Sequence, residues 1–405
     1  MNNEEISMRK ITRFKDTVLR SFMLVIVTFS ITGELAANET TVPPAIESDA
    51  MMQIAVLPSD YPGSWLFAHD ANFQSLIAGR VILVDAAADT KEYKGAIGAA
   101  QFGSFIESKG RAELYVAETF FSRGTRGERT DVVTVYDKST LQKIDEILLP
   151  GNKRMQIVTN KHTLRLIDDD RFLLVFNFTP ASSVTVIDIA NRSIVSEIAV
   201  PGCTMIYPNG QRSFSSMCGD GSMLSVSLDK DGKERKRAVT ASFINVDEDP
   251  AFEKPVYIDG VAYFVTYLGD VIPVNMKGPK AEPMSKWSLV SDAERGLNWR
   301  PSGWQIVSGQ DHELYVIMNA GGFNGSHKSG GENIWVYDLK KQEKVRTITP
   351  VTPAFSIELL NSSPVLLAVT NVNMGVDIYE TNGVLQRSLS LGDAAMPLLI
   401  HAARK

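Results

Sequence analysis

The chain has 405 residues, 44% hydrophobic and 22% charged, with a formal net charge of −6. That is ample apolar material for burial, and the mild acidity argues against a nucleic-acid partner. With two cysteines in all, a CxxC redox pair or a thiolate zinc site is excluded by number and spacing.

The N-terminus carries a basic region of Arg9, Lys10, Arg13, Lys15 and Arg20, then the apolar run Ser21 to Gly33 (SFMLVIVTFSITG), then Ala36-Ala37. Basic flank, short apolar core and small residues at the end predict a cleaved signal peptide over residues 1–37, an uncleaved anchor being the alternative. The apolar run is short for a bilayer span, and no later segment approaches that length. Cleavage would move the formal charge from −6 to about −7. Residues 38–50, including TTVPPAIESD, are polar and Pro-containing and predict a flexible lead-in. Residues 51–405 are long for one ordinary core, which leaves several domains or one repeat architecture.

A repeat decides between them. A strand ending in an acid or amide, a polar turn and a second strand recur as RVILVDAAADTKEYKGAIG, VTVYDKSTLQKIDEILLPG, VTVIDIANRSIVSEIAVPG, LSVSLDKDGKERKRAVTA, VIPVNMKGPKAEPMSKWSL, IWVYDLKKQEKVRTITPV and VDIYETNGVLQRSLSLGD. The anchors Asp85, Asp137, Asp188, Asp229, Asn275, Asp338 and Glu380 are separated by 52, 51, 41, 46, 63 and 42 residues. Seven copies predict an all-β fold, a seven-bladed β-propeller with four-stranded blades. Further apolar strands (AELYVA, FLLVFNF, VAYFVT, ELYVIM, VLLAVT) supply the rest of each blade, and PLLIH at 397–401 would close the ring with the start of the mature chain. The anchor acids are expected to accept hydrogen bonds from the following turn amides rather than to form a ring of metal ligands.

Cys203 and Cys218 flank one short stretch, PGCTMIYPNGQRSFSSMCGDGS. Strand, Pro208-Asn209-Gly210 turn and returning strand would bring them side by side, close enough for a disulfide. Two buried free thiols are the alternative.

No catalytic constellation stands out. His69, His162, His312, His327 and His401 form no HxH or HExxH pair, so neither a metal site nor a Ser-His-Asp arrangement is indicated. His327 lies on the Gly-rich GGFNGSHKSGGEN, expected to be a mobile blade connection with a partner or substrate contact as the functional alternative. Asp168-Asp169-Asp170 and Asp247–Asp249 are expected to be solvated turns. Arg123, Arg126 and Arg129 form a basic loop that suits either solvent or an acidic partner. Trp299 and Trp304 flank a Pro-Gly turn and are expected in the inter-blade core, a ligand cage being the other possibility.

Three segments carry a family resemblance. Residues 117–137 read AETFFSRGTRGERTDVVTVYD. The cysteine hairpin holds Tyr207-Pro208 and Phe214, with Asp220-Gly221-Ser222 trailing it. WRPSGWQ at 299–305 is followed by His327-Lys328 and IWVYD. In this order they resemble the heavy subunit of the quinoprotein amine dehydrogenases, the methylamine and aromatic amine dehydrogenase family, with similarity running from about Gln74 to the C-terminus.

The resemblance implies a periplasmic, disulfide-bearing propeller in a heterotetramer of two heavy and two light chains. The light subunit would carry tryptophan tryptophylquinone and the catalytic base. Neither cofactor nor metal is expected on this chain, whose two cysteines also set it apart from the disulfide-rich light chains. The assembly would oxidise a primary amine to aldehyde and ammonia and pass electrons to a copper protein (a cupredoxin) or cytochrome c. In that family a heavy-chain phenylalanine from an early blade helps line the substrate channel. The corresponding DAAADTKEYKGAIGAA contains no Phe, and Tyr93 is its candidate stand-in. A stand-alone exported binding or scaffold propeller is the alternative, and a lactonase-like hydrolase a third.

Overall fold

The computed structural model describes residues 55–404. The expected signal peptide over 1–37 and lead-in over 38–50 lie outside the described residues. Seven antiparallel sheets, each four strands deep, form the seven-bladed propeller that the repeat spacing requires. Blade 1 runs, from the axis outward, Pro397–Ala402, Trp65–Asp70, Arg80–Asp85 and Tyr93–Gly98. Blade 2 is Ser104–Glu107, Glu113–Phe121, Arg129–Asp137 and Lys143–Leu149. Blades 3 and 4 begin at the axis with Leu164–Ile167 and Cys203–Asn209. Blades 5, 6 and 7 begin there with Val256–Ile258, Val307–Gln310 and Ala354–Leu359.

Strand alternation explains why the blades stack. In Phe172–Asn177 all six residues are buried. Phe172, Leu174 and Phe176 join the core shared with blade 4, while Leu173 and Val175 join that shared with blade 2. The same division gives seven apolar clusters, one between each pair of neighbouring blades. Each fully buried Val, Leu, Ile or Phe stabilises by roughly 1.5–3 kcal/mol relative to exposure. Stability is therefore distributed around the ring.

The ring closes as the sequence suggested: Pro397–Ala402 pairs antiparallel with Trp65–Asp70. The repeat anchors also do what their chemistry implies. Asp85, Asp137, Asp229 and Asp338 each accept hydrogen bonds from turn amides that follow them. Asp188 accepts from the amide of Asn191 but is buried, unlike a solvated turn residue.

Cys203 and Cys218 are register partners and form a disulfide, with Cα atoms 3.8 Å apart. The first strand of this hairpin continues through Pro208 to Asn209, so the turn falls at 210–212, and a register shift between Thr204 and Tyr207 absorbs one extra residue. The acidic run at 168–170 is a correction. Asp170 is buried and accepts from Ser108 Oγ at 2.8 Å and from the amides of Lys109 at 2.6 Å and Gly110 at 3.0 Å, capping a turn of blade 2. Asp168 pairs with Arg212 at 3.3 Å, and only Asp169 is exposed. The run is a joint between blades.

Candidate functional site

Because strands alternate in direction, each blade places its connections on two faces. Among the described residues one face holds the segment that leads into Trp65–Asp70 and short turns, the longest being residues 86–92. The other holds the inter-blade connections 150–163, 240–255 and 289–306 and the loop 320–332. All three segments that carry the resemblance reach this second, elaborated face: the 122–128 loop, the Cys203–Cys218 end of blade 4, and 299–305 beside His327. Long connections over a rigid scaffold are where binding residues collect.

The best-ordered part of that face is at blade 2. Thr119, Arg129 and Asp131 bracket the 122–128 loop. Asp131 is buried and takes Arg129 in a two-pronged ion pair, with Nε to Oδ1 at 2.8 Å and Nη2 to Oδ2 at 2.9 Å. It also accepts from Thr119 Oγ1 at 2.6 Å and the Arg154 amide at 3.1 Å. Arg154, in the connection to blade 3, is itself buried. Its guanidinium donates to the carbonyl oxygens of Gln101 at 2.8 Å, Phe102 at 3.2 Å and Met155 at 3.2 Å, and to Thr119 Oγ1 at 2.8 and 3.0 Å. Burial lowers the Arg154 pKa to about 10, which still leaves it cationic at neutral pH. Glu118 adds a second tie, accepting from the Ala100 amide at 2.8 Å and Thr134 Oγ1 at 2.5 Å, and burial pushes its pKa up.

The product of this network is a fixed conformation of the connection entering blade 2. Gln101 and Phe102 both adopt left-handed backbone, φ 52° and 56°, which side-chain-bearing residues adopt at a cost. Arg154 holds both carbonyls and so holds the Phe102 ring, which meets Phe73 edge-on at 5.6 Å between centroids. Phe73, Phe120 and Phe178 are 41%, 45% and 57% exposed and come from blades 1, 2 and 3 on the same face.

The remaining candidates sort as follows. Tyr93 is exposed at the start of the outermost strand of blade 1, on the short-turn face, and is not brought together with these aromatic residues. Arg123 and Arg126 are exposed; Arg129 is tied to Asp131 and to the carbonyl oxygen of Arg154 at 2.7 Å. Asp247 and Asp249 stand on the elaborated face, and Asp249 accepts from the Leu268 amide at 2.6 Å. Trp299 packs on Trp335 at 4.8 Å within the core between blades 5 and 6, as expected. Trp304 does not. Its Nε1 donates to the Thr159 carbonyl at 3.1 Å, linking blade 6 to the entry of blade 3 on the opposite side of the ring, with the Lys254 ammonium 3.3 Å from its ring centroid.

The His327 loop, expected to be a blade connection, is tied to its neighbours by hydrogen bonds. The His327 carbonyl accepts from the Gly303 amide at 2.8 Å, and Tyr267 bonds the Phe323 carbonyl at 2.8 Å. The imidazole lies edge-on to Tyr267 at 5.4 Å, and burial lowers its pKa. His69 is buried in blade 1, His162 and His401 line a cavity at the propeller axis, and among the described residues no group of three His, Cys, Asp or Glu is arranged to hold a metal. Sequence reading missed Phe102, Phe73 and Arg154. The signal available was the Gln101-Phe102-Gly103 step directly before a strand.

The chain is thus a propeller with long connections on one face, where Phe73 and Phe102 meet edge-on. The sequence model for "Methylamine dehydrogenase heavy chain (MADH)" matches residues 72–391, and the chain belongs to this family. It is 28% identical over 236 residues to the methylamine dehydrogenase heavy chain of Methylobacillus flagellatus, covering 57% of this chain and 58% of that one. Against the Paracoccus versutus heavy chain it is 29% identical over 289 residues, covering 70% and 65% respectively. These matches thus span less than two thirds of either relative's length. Among solved structures, a Lactobacillus plantarum protein is similar at TM-score 0.56 and 12% identity, covering 83% of this chain and 98% of that one. A putative 6-phosphogluconolactonase from Bacteroides fragilis is similar at TM-score 0.55 and 10% identity, covering 87% and 99%. Those two likenesses speak to the fold alone.

Proposed function

We propose that this chain is the heavy, non-cofactor subunit of an amine dehydrogenase, exported to the periplasm. The observation that carries the reading is the family match over residues 72–391. It is supported by the position of the matching segments, which gather on one elaborated face. There the chain would dock a small light subunit, two of each forming the assembly. The light subunit's tryptophan tryptophylquinone would supply the redox chemistry that turns a primary amine into aldehyde and ammonia, with electrons leaving to a cupredoxin or cytochrome c.

This chain's own part is to bind and to wall. Phe102, backed by Phe73 and fixed through Arg154, is the residue suited to the early-blade phenylalanine of the substrate channel, in place of Tyr93. An aromatic wall excludes water and favours the apolar part of an amine, and a ring held by its own backbone does so without added ordering cost.

The test is co-expression with a light subunit and its maturation proteins, followed by amine-dependent dye reduction. Activity is expected only in the complex, and Phe102→Ala is expected to raise KM with a smaller change in kcat. A chain that forms no complex with any neighbouring disulfide-rich small protein would overturn the reading in favour of a stand-alone binding propeller.

A further inference from the structure

Innermost strands of six of the seven blades, all but blade 4, line a cavity of about 610 Å³ along the propeller axis. In Leu164–Ile167 the alternation sends Leu164 and Leu166 into the core between blades 2 and 3 and Arg165 to the opposite face, and on this innermost strand Arg165 lines the cavity. Lys161, Arg404, Lys254, Glu358 and His401 line the same space.

The charges there do not cancel. Glu358 is taken up by Lys161 Nζ at 3.0 Å and Gln305 Nε2 at 2.6 Å, with the Ala402 amide at 3.5 Å. Glu107 is taken up by Lys138 Nζ at 2.6 Å and by the Arg404 amide at 2.8 Å. Among the described residues the Arg404 guanidinium donates only to the Glu107 carbonyl, at 2.8 Å. Arg165 has no acidic partner and no hydrogen-bond acceptor among the described residues, and its Nε is buried and unsatisfied. His401 Nε2 is likewise buried without a partner. Leaving a guanidinium's donors unpaired inside a protein is costly, and its planar fork matches the paired oxygens of a carboxylate or phosphate.

The cavity has one obstructed end and one polar mouth. At the elaborated face Trp304 reaches Thr159 across the ring. Toward the short-turn face the cavity extends to Lys109, Asp259 and Asp311, all exposed. The two rim carboxylates confine the unbalanced positive charge to the interior, around Arg165 and Arg404.

We propose that the propeller axis is a binding site for a small oxyanion of the carboxylate or phosphate type, held by the Arg165 fork with Arg404 and Lys161 beside it. Burial lowers the Arg165 pKa only to about 10, so the fork is charged at neutral pH. The site is built entirely from this chain and does not depend on a light subunit being present.

The experiment uses the purified chain, inorganic phosphate and acetate as separate probes, constant ionic strength, calorimetric titration and thermal unfolding. Saturable binding and a ligand-dependent rise in the unfolding midpoint are expected for at least one probe. Phosphate binding alone selects the tetrahedral class and acetate binding alone the carboxylate class. Arg165→Gln is expected to weaken binding at least about tenfold, the order of one bidentate charged contact. In anion-free buffer the same variant is expected to unfold no earlier than the wild type, because the charge it removes is unpaired. Arg165→Lys keeps the charge without the fork and should bind with intermediate affinity. Absence of saturable binding by the wild type, or equal binding by wild type and Arg165→Gln, would overturn the proposal. So would a phosphate effect reproduced by ionic strength alone.

Discussion

Arg154→Met is the sharpest test of how the elaborated face is held. The substitution keeps the aliphatic bulk and removes the donors that reach Gln101, Phe102 and Met155 carbonyls and Thr119 Oγ1. Asp131 keeps Arg129, Thr119 and the backbone amide of residue 154, so no carboxylate is orphaned. Each buried carbonyl left without a donor costs about 1–3 kcal/mol, and partial access to water at Phe102 places the sum near about 3–5 kcal/mol. The left-handed pair Gln101-Phe102 then loses its restraint, and residues 99–104 open locally before the blades separate. Native-state hydrogen exchange should show protection there falling by roughly two to four orders of magnitude, with smaller changes in blades 4 to 6. Arg154→Lys should behave similarly, since one ammonium cannot serve carbonyls and a hydroxyl arranged for a fork. Unchanged exchange at 99–104, or full rescue by lysine, would refute the account.

Other expectations follow from local geometry. Gly221 has φ +80°, and a Cβ there would lie 2.1 Å from the Ile244 carbonyl oxygen, so Gly221→Ala should cost more than the ~1–2 kcal/mol of left-handed strain alone, read by urea denaturation. Replacing Cys203 and Cys218 together by serine reopens a 15-residue separation and should cost about 3 kcal/mol, with reductant destabilising the wild type equally and the variant not at all. His69 is buried, and burial lowers its pKa to about 4. Its folded pKa lies below the unfolded value, so its contribution is complete above about pH 6.5 and is lost as pH falls toward 4. His69→Asn should therefore gain about 3 kcal/mol relative to the wild type between pH 7.5 and 4. A pH-independent difference would show that the imidazole is not held neutral.

The blades were legible because their signal is local and periodic. Each copy states its strand by alternation and its turn by an acid, and the structure uses both literally at Asp137, Asp229 and Asp338. Trp299 and the cysteine pair followed the same logic. What could not be read were the groups working across blades. Asp170 looks solvated in an acidic run because its partners, Ser108 to Gly110, lie some 60 residues away. Arg154 sits in GNKRMQIVTN, an aperiodic connection with no pattern to mark a buried cation. Trp304 and Trp299 are five residues apart in one motif, yet one enters the core and the other spans the axis. The early-blade segment DAAADTKEYKGAIGAA ends at Ala100, and the aromatic side chain stands two residues later in a backbone conformation that propensity disfavours.

Separation of stability from surface explains how such a chain can diverge. Each of the seven inter-blade cores lies between two neighbours; the connections 240–255 and 289–306 add Ile244, Leu289, Val290 and Ile306 to them, whereas the 122–128 loop adds none. The exposed 122–128 loop can therefore be rewritten without loosening the ring, provided its anchoring groups remain. At blade 2 those anchors are Thr119, Arg129, Asp131 and Arg154, and the first three lie within the segment 117–137 that carried the resemblance. Identity near 28% is then compatible with a preserved presenting surface. The consequence is testable by exchange: grafting residues 122–128 from a relative should leave unfolding unchanged, whereas altering Asp131 should disturb both the loop and the Phe102 turn, because both converge on that one buried carboxylate.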